Sequence, residues 1–97
     1  MNTQHTIDET TTELGRLLNY LDKTFIRIEE FGCIAAVSPD KSTIFTCPLN
    51  VNGFPERDEH DPRHMNWNEV TAPEPEFLDK VNARFATSFH SDSFSGR

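Results

Sequence analysis

Long hydrophobic runs are missing from this 97-residue chain. No stretch approaches the ~20 apolar residues that a membrane span needs, and no basic-then-apolar leader pattern opens it. The expected home is therefore the cytoplasm, with no membrane partner. Cysteine is scarce: Cys33 and Cys47 are the only two, and they form no CxxC pair. That excludes a zinc ribbon and thioredoxin-type redox chemistry. Cations are scarce as well, nine Lys and Arg against sixteen Asp and Glu, for a net charge of −7. Proteins that grip phosphate backbones do so with Lys and Arg, so nucleic-acid binding is disfavoured. The four glycines build neither a phosphate cradle nor a dinucleotide fingerprint, and no nucleophile elbow is present.

What the chain does have is a β-rich centre. From Phe25 to Glu29 the residues alternate, with Ile26 and Ile28 on one side, the period of a half-buried strand. Glu30-Phe31-Gly32 breaks the alternation, and Gly32 gives the backbone freedom for a turn. Cys33–Val37 is continuously apolar and too short for a helix, as suits a central strand buried on both faces. Ser38-Pro39-Asp40-Lys41 is a turn sequence. Thr43–Cys47 returns as a third strand, and Pro48, which lacks an amide donor, marks its end. With the turn centred on Asp40, Val37 would face Thr43 and Cys33 would fall opposite Cys47. A slip of one residue separates the cysteines, and two buried reduced thiols are the expectation.

Two amphipathic segments flank this centre. Leu14, Leu17, Leu18 and Leu21 recur at helical spacing behind a capping-box pattern, Thr10-x-x-Glu13. Thr71-Ala-Pro-Glu-Pro-Glu announces a second helix, whose apolar face is Phe77, Leu78, Val81, Phe85 and Phe89. The expected fold is α+β: helix–three-stranded antiparallel meander–helix (αβββα), with the helices packed on one face of the sheet. Residues 1–9 are expected to be a flexible N-terminal segment, 10–89 a single domain with a long acidic loop at 49–70, and 90–97 a flexible tail. A fourth short strand near Leu49–Val51 would shorten that loop.

Charge is concentrated. Residues 56–79 hold eight acids against Arg57 and Arg63, a net of −6 within a chain of −7. Trp67, the single tryptophan, lies inside this stretch beside Met65, with Phe54 just upstream. An aromatic anchor among charges is the make-up of an interface hot spot, against the plainer reading that Trp67 folds back onto the sheet. The expectation is a protein-binding module, inhibitor- or adaptor-like, that docks a basic protein through 54–79. Its candidate contacts are Phe54, Asp58, Glu59, Asp61, Met65, Trp67 and Glu69. No catalytic residue and no cofactor is expected. The alternative is a metal-binding or metal-dependent hydrolytic protein built on His60, Asp61 and His64, although Pro62 prevents the helical spacing that aligns histidine pairs. A homodimer through the sheet is a further possibility, because Phe25, Phe31 and Phe45 can lie opposite Ile26, Ile28 and Ile44.

Overall fold

A computed structural model describes residues 2–90 and Phe94, with side chains from Glu13 onward. The element order is α1 (Asn2–Thr24), β1 (Ile26–Ile28), a 3-10 turn (Glu29–Phe31), β2 (Cys33–Val37), β3 (Ile44–Pro48), β4 (Asn68–Glu69) and α2 (Pro75–Phe85). The α+β class and the helix–meander–helix order are as expected. The sheet, however, has four antiparallel strands in the order β1-β2-β3-β4. The fourth is formed by Asn68–Glu69 against Phe45 and Thr46, downstream of the Leu49–Val51 stretch where a fourth strand was expected.

The helix begins at Asn2, upstream of Thr10, so the Thr10-x-x-Glu13 pattern lies inside it and not at its start. At its other end the Thr24 hydroxyl donates to the Tyr20 carbonyl at 2.8 Å. The aromatic and β-branched residues Phe25 and Ile26 follow and favour extended backbone. Gly15 is not a close-packing device, since a Cβ there would meet nothing within 4 Å. The expected flexible tail, 90–97, falls mostly outside the described residues. Phe94 does pack against the core, with its ring 6.0 Å from that of Phe89.

Register decides what each strand face carries. Val37 pairs with Ile44, not Thr43, so Cys33 pairs with Pro48 and Cys47 with Ile34. The loop holds one more residue than a turn centred on Asp40 would. Lys41 takes a left-handed conformation (φ 62), Ser38 and Thr43 close the loop through a backbone bond of 2.9 Å, and the Asp40 carboxylate accepts from Ser38 Oγ, Ser42 N and Ser42 Oγ. Those donors hold the Asp40 carboxyl below its ordinary value, the Ser38 hydroxyl contributing most. A shift of one residue sends the two thiols to opposite faces. Both cysteines are free, and burial pushes both thiols up.

The helices take opposite faces of the sheet, which corrects the expectation that they share one. Ile28, Ala35, Val37 and Ile44 form a single buried cluster with Phe77, Leu78 and Val81 of α2. Ile34, Ala36 and Cys47 alternate to the other face and are fully buried there. That face is covered by the last turns of α1, which packs on β2 and whose Leu21 is completely buried. The reason is legible in β2 itself: Ile34–Val37 is apolar at every position, so neither face tolerates water. Lys41 Nζ donates to the Phe85 carbonyl at 3.2 Å, and Lys80 Nζ pairs with Glu30 at 2.9 Å, pinning the C-terminal end and the middle of α2.

Candidate acidic interface

The segment from Leu49 to Trp67 is built from short-range hydrogen bonds. Pro48 O accepts from Glu56 N at 2.9 Å, Glu56 O from Asn66 N at 2.8 Å, and His64 O from Asp58 N at 3.1 Å. Isolated bridges join Leu49 to Pro55 and Arg57 to Met65. The segment is thus two successive hairpins that lead into β4, and the expected long loop has local structure of its own. Pro55 and Pro62 sit where no ladder donor is required.

Asp58 turns inward on its own loop, its Oδ1 accepting from His60 N (2.7 Å) and Asp61 N (3.3 Å). Such Asx contacts mimic a backbone turn. Asp61 makes a two-pronged pair with Arg63, Nε to Oδ1 at 2.9 Å and Nη2 to Oδ2 at 3.0 Å. The Arg63 guanidinium holds the Asp61 carboxyl down, from an ordinary 3.8 to about 2. A depressed carboxyl supports the folded loop above its unfolded value, and that support is lost as pH falls from about 4 towards about 2. A side-chain carbon NMR titration is expected to place the Asp61 midpoint near 2, and Arg63→Gln should return it towards 3.8. A wild-type midpoint at the ordinary value would show that the pair does not form.

The deepest polar contact of the segment was not foreseen. The Asp22 carboxylate, in the last turns of α1, accepts from Trp67 Nε1 at 2.7 Å through Oδ1 and meets His64 Nδ1 at 3.0 Å through Oδ2. An ionised carboxylate offers only acceptors, so Nδ1 carries the proton. The Asp22 and His64 side chains are 18% and 12% exposed. Trp67 also lies against Phe25, ring centroids 6.2 Å apart and tilted by 51°. Trp67 is therefore folded back, but onto Asp22 of α1 and Phe25 and not onto the sheet of the plainer sequence reading, and no buried side-chain nitrogen or oxygen among the described residues lacks a partner. Nothing local in the sequence points to Asp22, which lies 42 and 45 residues from its partners.

A carboxylate that orients an imidazole is also the arrangement of a general base. The nearby thiol does not complete a nucleophilic pair: Cys47 is fully buried, donates to Glu56 O at 3.2 Å, and is pushed up chiefly by that burial, with Asp22 adding to it. The contacts fasten the loop.

The metal candidates are dispersed. His64 is committed to Asp22, Asp61 to Arg63, and His60 is exposed. Among the described residues no group of three or more His, Cys, Asp or Glu side chains is placed to hold a metal ion. Of the other candidate contacts, Met65 is half-buried and bridges Arg57 through its backbone, Glu59 is exposed, and Glu69 is exposed on β4. Phe54 stands 64% exposed. At the far end of the acidic segment, Glu76 and Asp79 line an open groove of about 500 Å³ with Glu30, Lys80 and the Phe31 ring.

No family model, no curated protein and no solved structure matches this chain. Among the described residues no helix is long and apolar enough to cross a membrane.

Proposed function

We propose that this domain is a non-catalytic protein-binding module, inhibitor- or adaptor-like, that docks a basic protein partner through the acidic segment 54–79. One observation carries the reading. Glu56, Glu59, Glu69, Glu74 and Glu76 are all exposed, and none belongs to an ion pair among the described residues, where the pairs are Arg63–Asp61, His64–Asp22 and Lys80–Glu30. The negative charge of the segment is thus directed at solvent from a fixed backbone, which favours steered association with a surface of opposite sign.

The geometry also selects the residues that test this reading. Reversing Asp58 or Asp61 would break the loop's own turn and ion pair, whereas Glu59 and Glu69 are free of such duties. The partner is to be captured on the immobilised protein from lysate of the source cells at low salt, and its association rate measured with wild type and with Glu59→Lys/Glu69→Lys. The on-rate is expected to fall about tenfold or more at low salt and to converge with wild type at high salt. Equal rates at low salt would reject acidic docking.

A further inference from the structure

The hairpin tip between Leu49 and Pro55 spends an unusual number of contacts on its backbone and none on burying its large side chains. Asn50 N donates to Phe54 O at 2.7 Å and Gly53 N to Asn50 O at 2.9 Å. The Asn50 side-chain oxygen accepts from both Asn52 N (2.8 Å) and Phe54 N (3.1 Å). Gly53 supplies the left-handed residue (φ 84), and its carbonyl accepts from Arg27 Nη1 on β1 at 2.7 Å. Two apolar side chains project from this braced frame: Val51 is 100% exposed and Phe54 64% exposed.

Fixing a backbone costs conformational entropy, and burial of the loop's own side chains is the usual compensation. Here that compensation is absent at Val51 and Phe54. A rigid, solvent-facing aromatic at the edge of a charged field is the form a pre-organised anchor takes, because little remains to be ordered on binding. The net negative segment 56–79 follows the tip in sequence, beginning with the exposed Glu56. Glu29, also exposed, opens the 3-10 turn capped by Gly32, whose carbonyl accepts the Leu49 amide. Arg27 donates to the Gly53 carbonyl, so a cation also borders the tip.

We infer that Val51 and Phe54 are the anchor of the acidic interface, and that the partner presents an apolar socket bordered by Lys or Arg. The inference rests on the docking role proposed above and names the chemistry of its partner. It moves the anchor from Trp67, whose indole N–H is taken by Asp22, to the tip.

The probe is a random-peptide phage library panned at low salt on the immobilised full-length protein, with enriched peptides resynthesised and titrated calorimetrically. The expected peptides carry a bulky apolar residue flanked by Lys or Arg. The double variant Val51→Ser/Phe54→Ser, whose folding is checked by its melting curve, is expected to weaken them by about tenfold or more, whereas salt alone weakens the electrostatic part. Basic, salt-sensitive peptides that bind the double variant as tightly as wild type would overturn the tip and leave acidic docking standing. Enriched peptides that lack cations and ignore salt would overturn both. A wild-type dimer in light scattering that the double variant dissolves would assign the tip to a second copy of the chain and overturn the basic socket.

Discussion

Asp22→Ala is expected to lower the unfolding free energy by about 3 kcal/mol and to shift the emission of Trp67 to the red. Two hydrogen bonds end on that one carboxylate, from Trp67 Nε1 and His64 Nδ1. Hydrogen bonds to a charged group contribute about 1.5–3 kcal/mol each. The side chains are 18% and 12% exposed, so water compensates part of the loss and the lower half of the summed range applies. The substitution also strands two donors in a half-buried site, and that penalty dominates deletions of this kind. Since Trp67 is the only tryptophan, its fluorescence reports the same site that urea unfolding reports globally. Asp22→Asn should fall between, because a carboxamide keeps one acceptor for the indole but its amino group can meet Nδ1 only after the imidazole moves its proton to Nε2. An unchanged denaturation midpoint with unchanged emission would show that the helix and the loop are not joined there. A double-mutant cycle with His64→Ala isolates the imidazole's share.

Leu21→Ala is expected to cost about 3 kcal/mol and Leu14→Ala less than about 0.5. The two leucines share one helical stripe and nothing in the spacing tells them apart. Packing does: Leu21 is fully buried over the sheet, whereas Leu14 is 57% exposed. Truncating a buried leucine removes its transfer energy and leaves a cavity over the face that carries Ile34, Ala36 and Cys47, all fully buried. For a domain of this length about 3 kcal/mol corresponds to a fall in Tm of more than about 12 °C. Paired thermal melts decide the matter, and equal losses for the two variants would mean that α1 does not dock through its last turns.

Much of this architecture could be read from local signals. Alternation at Ile26 and Ile28, the apolar run Cys33–Val37 and the Ser38–Lys41 turn each act over a few residues, and each element formed where that signal stood. What went unread depends on one-residue or long-range choices. The register turned on Lys41 accepting a positive φ, which the turn sequence permits but does not demand. Strand β4 is Asn68–Glu69, two polar residues held by pairing with β3 and not by propensity. The choice of helix faces was hidden because a stretch apolar at every position says that both sides are buried, not what buries them. In the candidate interface, Glu59 and Glu69 lie exposed as their charge suggests, whereas Trp67 is claimed by an aspartate that only the fold brings near.

The sheet order β1-β2-β3-β4 also bears on how the chain folds. Every ladder joins strands that follow one another in sequence, so β1-β2 and β2-β3 can each zip from a short connecting turn, while β3-β4 closes over the hairpins of 49–67. Topologies with such short loop closures fold quickly. Two sets of closures span more than forty residues, Asp22 on His64 and Trp67 and α2 on Lys41 and Glu30, which places the seating of both helices late, after the meander exists to position them.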